Sequence, residues 1–141
     1  MSFRNIAEIA GSAMTAQSVR LNTVASNLAN ANSASGKEAD VYRARKPVFA
    51  AVFDRHGLTG GQMAGASVRV LDVVQSTEAV RKAYEPDNPL ANAAGDVFYP
   101  NVNPVAEMTD MMAASRAFET SVEVMSRVKS MQQSLLRLGE E

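Results

Sequence analysis

The chain opens with a pattern of apolar and polar positions that is typical of a long helix. Apolar or small side chains recur at alternating steps of four and three residues, with one break at Gln17: Phe3, Ala7, Ala10, Met14, Leu21, Val24, Leu28 and Ala31. This heptad-like stripe predicts one helix from Ser2 to about Ala31, roughly 45 Å long. Ser2 can cap its start, and residues 32–36 can end it.

A second long helix is predicted from Pro104 to Leu138. Asn103 can cap it, and Pro104 suits its first turn. Its apolar stripe is broad: Val105, Met108, Met112, Ser115, Phe118, Val122, Met125, Val128, Met131, Leu135 and Leu138. Acidic residues come early and basic residues late, which complements the helix dipole. Glu123 and Arg127, four residues apart, form a favourable pair.

Residues 37–102 have a different pattern. The stretches "VYRARKPVFAAVF" and "SVRVLDVVQS" are rich in β-branched and aromatic residues, and the Gly-rich "HGLTGGQMAGA" lies between them. They predict two strands joined by a loop. Four of the five prolines fall in "YEPDNPLANAAGDVFYPNVNP", which indicates an extended connector with one short strand at "DVFY".

These patterns predict a mainly α fold with a small β region. We expect the long N- and C-terminal helices to pack as a coiled coil, with short strands and extended loops between them. The predicted organisation has three parts: an N-terminal axial helix (1–36), a small β or extended middle region (37–102) and a C-terminal axial helix (103–141). The first and third parts would form one structural unit.

Composition narrows the possible functions. The 141 residues are 46% apolar but only 6% aromatic, and the formal net charge is −1, so charge gives no reason to expect a nucleic-acid partner. The absence of cysteine excludes disulfides and thiolate metal sites. The N-terminal stretch is interrupted by Glu8, and its apolar residues have helical spacing instead of forming one run, unlike a cleavable signal peptide. "PVFAAVF" is too short to span a bilayer.

No stretch of the chain predicts an enzyme or a cofactor site. His56, the only histidine, lies two residues from Asp54, but no nucleophile or oxyanion site accompanies them. "GLTGGQMAG" lacks the Gly-Lys-Ser/Thr ending of a phosphate loop, and "YRARK" is typical of a solvated strand face. We therefore expect no catalytic residue, no metal, no cofactor and no small-molecule substrate.

The apolar surface is too wide for two helices that pack only on each other. The first helix has a second face of apolar and small residues (Ile6, Ile9, Ala13 and Ala16), and a helix that is apolar on two faces needs more than one neighbour. An isolated chain would then leave apolar surface exposed and order its helix ends on assembly. Head-to-tail association through such faces produces open helical arrays.

Several motifs resemble those of bacterial flagellar axial proteins, the rod and hook family. "ASNLANANS" matches the N-terminal signature of that family, and "YRARKPVF", "YEPDNPLANAAG", "PNVNPVAEMTDMMAASRAFETSVEVMSRVKSM" and "LRLG" resemble its proximal-rod subunits of the FlgC type. The likeness covers nearly the whole chain. It departs at Ser33, where many members have Thr, and at the spacer "ASGKEADV" before Tyr42.

The resemblance implies a structural, non-enzymatic subunit of the flagellar basal-body rod, the drive shaft between ring and hook. It implies polymerisation with other copies and other rod proteins around the export channel, at a periplasmic location. It also implies transport through the flagellar type III export apparatus without a cleavable signal peptide. A soluble coiled-coil adaptor or export chaperone that binds one partner is the alternative.

The two stripes and the Asn motif supply the residues that we expect at subunit interfaces: Met14, Leu21, Val24, Asn27, Leu28, Asn30, Asn32, Phe118, Val122 and Met125. Asn is a poor helix former, so three of them in "SNLANANS" need a reason. Asn32 and Asn30 can end the helix. For Asn27, deeper in the helix, the hypothesis is a polar contact with a neighbouring chain that specifies register.

Overall fold

The structure of the chain, a computed structural model, describes residues 3–53 and 65–139. The predicted cap Ser2, the Asp54–His56 pair and most of the Gly-rich loop lie outside the described residues. The elements follow in chain order: α1 (Phe3–Asn30), a short 3-10 turn (Glu38–Asp40), β1 (Arg45–Phe53), β2 (Ala66–Gln75), β3 (Arg81–Tyr84), β4 (Asp96–Tyr99) and α2 (Pro104–Leu138). β1 pairs with β2, and β3 with β4.

The chain divides into two compact units. Unit 1 contains Met1–Val19, Val48–Asp72 and Ala113–Glu141, and unit 2 contains Arg20–Pro47 and Val73–Met112. Both helices and the β1–β2 sheet contribute residues to each unit, whereas β3 and β4 belong to unit 2 alone.

The ends of the helices follow from local hydrogen bonds. The Asn103 side-chain oxygen accepts the N–H groups of Val105 (3.1 Å) and Ala106 (3.3 Å), so two donors of the first turn of α2 are satisfied. α2 begins at Pro104 and ends at Leu138, as predicted. At the end of α1, Ser33 donates to the Asn30 carbonyl through its N–H (3.0 Å) and its hydroxyl (2.8 Å).

In unit 2, the core forms around the small β3–β4 sheet. The strands are antiparallel, with Ala83 opposite Val97, and the Val97 side chain is fully buried. Ser35 extends this sheet by exchanging two backbone hydrogen bonds with Phe98 (3.0 and 2.8 Å). The predicted strand at residues 96–99 is confirmed. β3 was not predicted, because its sequence "RKAY" has two charged residues and stands just before "EP".

In unit 1, the buried apolar side chains are small. They are Ala10, Ala16, Ala114 and Val128. α1 also contacts β2 there, because the Ser12 hydroxyl accepts the Val68 N–H (3.1 Å) while it donates to the Ile9 carbonyl (2.9 Å). Small residues permit close approach of backbones but bury little apolar surface.

The predicted fold class is wrong. The structure is about 52% helical and 22% strand, with four antiparallel strands in two sheets, and β1 and β2 are 9 and 10 residues long rather than short. No coiled coil is found in residues 3–53 and 65–139. A coiled coil would bury the α2 stripe, yet Met108, Met112 and Met131 are at least half exposed. In unit 2, α1 meets α2 through an ion pair between Arg20 and Asp110 (2.9 Å).

Within the described ranges, neither helix has an apolar stretch long enough to cross a bilayer.

Gly95, between β3 and β4, has a backbone conformation that other residues rarely adopt, so its substitution should destabilise unit 2. Gly95 has a φ of +80°, and a Cβ placed on it would lie 2.7 Å from Cε2 of Tyr84. Gly95→Ala should therefore lower the free energy of unfolding of unit 2 by about 1–3 kcal/mol. All three tyrosines (Tyr42, Tyr84 and Tyr99) lie in unit 2 and the chain has no Trp, so urea unfolding followed by tyrosine fluorescence measures this unit.

Gly11 supplies the matched control. It lies inside α1, and a Cβ there would meet Met125 Cε at an ordinary 3.8 Å. Gly11→Ala should leave the tyrosine-detected transition unchanged or raise its midpoint, since Ala is the better helix former. An unchanged midpoint for Gly95→Ala would contradict the strain assigned to this turn.

The Glu85 carboxylate, beside the same turn, should make the stability of unit 2 depend on pH. Glu85 accepts hydrogen bonds from the Asn88 amide (2.8 Å) and the Tyr99 hydroxyl (2.9 Å), and these donors hold the pKa of Glu85 below its ordinary value of 4.5. The same carboxylate raises the pKa of Tyr99 above 10.0. A lowered carboxyl pKa adds stability that is present above the ordinary value and is lost as the pH falls through the folded pKa.

The unfolding midpoint of unit 2 should consequently fall as the pH is lowered from about 6 to about 3. Glu85→Gln, which cannot ionise, should show a flatter dependence over that range. Equal pH slopes for the two proteins, measured by tyrosine fluorescence, would rule out a contribution from the Glu85 cluster.

Candidate subunit-contact surface

Asn27 is the most buried polar residue of the predicted interface set. It lies near the C-terminal end of α1 in unit 2, and its side chain is 1% exposed. Its amide nitrogen donates to the Arg45 carbonyl (2.8 Å), and its amide oxygen accepts the Arg45 N–H (2.9 Å). The side chain therefore pairs with a backbone as a neighbouring strand would, and it attaches the first residue of β1 to the helix.

Tyr42 completes this buried cluster. Its hydroxyl donates to the Asn27 amide oxygen (2.8 Å) and lies 3.2 Å from the Ser26 hydroxyl. The Arg45 guanidinium stands 5.5 Å from the centre of the Tyr42 ring, within the range of a cation–π contact. Both acceptor positions of the Asn27 oxygen are thus used within the chain.

The other two asparagines of "SNLANANS" act at the helix end or face solvent. The Asn30 amide donates to the Ser26 carbonyl, one turn earlier in its own helix (2.8 Å). Asn32 is exposed just beyond α1. The prediction that these two residues end the helix stays a prediction, although α1 does end at Asn30.

The apolar predicted residues of unit 2 are turned inward. Val24 is buried, and Leu21 and Leu28 are half-buried. They lie along one side of the last turns of α1, with Asn27 among them, so this stretch of the stripe contributes to the inside of unit 2.

The predicted residues of unit 1 are less buried. Met14, Phe118 and Met125 are half-buried, and Val122 is 41% exposed. Met125 lies near Gly11. Beside it, an open apolar groove of about 360 Å³ is lined without any charged residue: Ile6, Ile9, Ala10, Ala13, Thr120, Ser121 and Val124.

The broadest exposed apolar surface belongs to α2 and was only partly included in the predicted set. Its exposed side chains run along the helix from the first turn to the last: Val105, Met108, Met112, Val122, Val124, Met131, Leu135, Leu136 and Leu138. Isolated exposed apolar residues are normal on a protein surface, but nine on one helix, distributed over more than one of its sides, indicate contacts with neighbours.

Sequence reasoning missed two residues that organise this region. Tyr42 was noted only as part of a basic strand, and Asn101 was taken as part of an extended connector. Asn101 accepts the Ala44 N–H (2.8 Å) and donates to the Glu78 carbonyl (2.9 Å). No periodic pattern identifies such a residue, because its partners are backbone groups far away in sequence.

The described residues offer little for chemistry. Among them, no three His, Cys, Asp or Glu side chains come close enough together to hold a metal ion. The region instead combines buried amide pairing within unit 2 with exposed apolar side chains along α2.

Comparison with known proteins agrees with this picture. Residues 8–36 match the family "Flagella basal body rod protein", and residues 97–138 match "Flagellar basal body rod FlgEFG protein C-terminal". The chain is 48% identical to flagellar basal-body rod protein FlgC of Escherichia coli O6:H1 over 99% of its own length and all of the relative. The corresponding proteins of Salmonella typhimurium and Bacillus subtilis are 46% and 34% identical, covering 99% and 93% of this chain and 100% and 94% of the relatives.

The matches span the chain from end to end, including the Asn-rich end of α1 and the whole of α2. The chain therefore belongs to the FlgC family of flagellar basal-body rod proteins.

Proposed function

We propose that this chain is a torque-transmitting subunit of the rod, which polymerises with copies of itself and with other rod proteins. The assembled shaft would connect ring to hook and surround the export channel. As a member of a structural rod family, the chain is not an enzyme. Its proposed function depends on the surfaces through which it binds neighbouring subunits.

The exposed apolar surface of α2 is the observation that carries this proposal. Met108, Met112 and Leu135 are 55%, 57% and 54% exposed, and Leu138 is 70% exposed. Leaving such side chains in water forgoes about 25 cal/mol for each Å² that could be buried. A surface of this kind favours a chain whose final state includes neighbours over one that functions alone.

The ten predicted residues are proposed to serve the interface, some by direct contact and others, such as the buried Val24 and Asn27, by holding unit 2 together. Val122 and Asn32 are exposed and can contact a neighbour directly. Met14, Phe118 and Met125 are half-buried and would contribute the rest of their surfaces. Asn27 is inside unit 2, so its part is to hold Arg45 and Tyr42 in place for such contacts.

The route to the rod is proposed from the same family relation. The chain would pass through the flagellar export apparatus and assemble in the periplasm. Passage through a narrow channel is compatible with a core of small side chains such as Ala10, Ala16 and Ala114, because such a core buries little apolar area and is opened at low cost.

Val122→Asp tests the proposed contact surface. Val122 is already 41% exposed, so the change should alter the free energy of unfolding of the isolated chain by less than about 0.5 kcal/mol. In the rod it would bury an unpaired charge at a cost of several kcal/mol. Cells that rely on this variant should form no complete rods and should not swim, as seen by electron microscopy of basal bodies and by motility in soft agar.

Val122→Ala is the control. It shortens the same exposed side chain without introducing a charge. It should support rod formation. Normal rods with Val122→Asp would contradict the interface, and a closed one-to-one complex with a single partner, detected by light scattering, would favour an adaptor instead of a rod subunit.

A further inference from the structure

We propose that Asn27 and Asn101 together fix the backbone of Ala44 and Arg45 as a rigid joint, and that this joint carries mechanical load in the rod. The structural half of the inference rests on contacts within unit 2 alone. The load-carrying half rests also on the proposed function.

Every backbone hydrogen-bonding group of the two residues has a partner. For Ala44, the N–H donates to the Asn101 amide oxygen (2.8 Å) and the carbonyl accepts the Ser76 N–H (2.7 Å). For Arg45, the N–H donates to the Asn27 amide oxygen (2.9 Å) and the carbonyl accepts from the Asn27 amide nitrogen (2.8 Å). The Ala44–Arg45 joint, as we call this dipeptide, is bonded from three separate segments of the chain.

Those segments are the C-terminal part of α1, the residues before α2 and the residue that follows β2. Asn27 belongs to α1, Asn101 stands three residues before the start of α2, and Ser76 follows the last residue of β2. The joint is also where β1 begins. The start of β1 is consequently bonded to the C-terminal part of α1 and to the segment that precedes α2.

Asn101 additionally links the residue before β1, Ala44, to a residue after β2, Glu78. Its amide nitrogen donates to the Glu78 carbonyl (2.9 Å), which also accepts from the Arg43 guanidinium (3.0 Å). One side chain therefore bridges residue 44 to residue 78. A second link, through Arg43, runs parallel to it.

Partial burial makes these bonds harder to replace by water, although the Arg45 side chain is exposed. Ala44 is 4% exposed and Val41 is 7% exposed, and Pro100, next to Asn101, is also buried. In such surroundings a hydrogen bond is stronger than in water, and an unpaired backbone group is costly. A hinge needs residues whose φ and ψ can change freely, and this dipeptide has no free group with which to accommodate such a change.

Hydrogen exchange of the purified chain tests the structural half. Asn101→Ala removes the acceptor of the Ala44 N–H, so exchange at Ala44 should become about tenfold faster or more. Asn101→Asp keeps an acceptor oxygen and should retain much of the protection at Ala44. Asn27→Ala should accelerate exchange at Arg45 in the same way.

Asn22→Ala is the matched control, because Asn22 is an exposed asparagine on α1. It should leave the exchange of Ala44 and Arg45 as in the unmodified chain. Unchanged exchange at Ala44 in Asn101→Ala would overturn the joint, since the proposed bond would then contribute no protection.

Motility under load tests the mechanical half, in cells whose only subunit of this family is the unmodified chain or its Asn101→Ala or Asn101→Asp variant. We expect Asn101→Ala cells to build rods and to swim in dilute medium, but to lose a larger fraction of their speed in viscous medium than unmodified cells. Asn101→Asp should restore part of that loss.

The outcomes separate the two proposals. If the unmodified chain itself fails to restore swimming, the proposed function is wrong. If it restores swimming, while Asn101→Ala accelerates exchange without any extra loss of speed at high viscosity, the load-carrying role of the joint is wrong.

Discussion

The pairing of the buried Asn27 amide with the backbone of Arg45 is the contact on which the arrangement of unit 2 depends. A helix side chain here replaces a neighbouring strand: it donates to one backbone carbonyl and accepts one backbone N–H, at 2.8 and 2.9 Å. Asn is suited to this because its amide carries a donor and an acceptor with the geometry of a peptide group. The small loss of helix propensity at this position is offset by hydrogen bonds made out of contact with water.

That contact also changes the meaning of the Asn-rich stretch at the end of α1. From the sequence, Asn27 was assigned to a neighbouring chain, by analogy with buried asparagines that set register in coiled coils. The structure uses the same chemistry inside one chain, with Tyr42 and Arg45 as partners. The other asparagine that bonds locally, Asn30, donates to the Ser26 carbonyl of its own helix. Two asparagines three positions apart therefore have different roles. Asn27 binds the backbone of Arg45 inside unit 2, whereas Asn30 binds a carbonyl of its own helix.

Periodicity and capping chemistry predicted the elements that depend on nearby residues. Both ends of α2 were correct because Asn103, Pro104 and the apolar stripe are local signals, and the strand at 96–99 was found by its β-branched and aromatic residues. The coiled coil and β3 failed for different reasons. The sequence "RKAY" of β3 has two charged residues and no pattern typical of a strand. The coiled coil depends on which distant segment covers a helix, and apolar residues such as Met108 and Met112 predict burial without indicating where the covering surface comes from. Asn101 was missed on the same ground, since its partners Ala44 and Glu78 are 57 and 23 residues away.

The central claim is that the exposed apolar side chains of α2 become covered in the assembled rod. Three methionines among them, Met108, Met112 and Met131, are 55%, 57% and 50% exposed, and oxidation of their thioethers can be followed by mass spectrometry without altering the sequence. The most direct measurement compares their oxidation rates in the purified chain and in isolated basal bodies. The account predicts rapid oxidation in the free chain and slowing by about tenfold or more in the rod. Equal rates in the two states would contradict it.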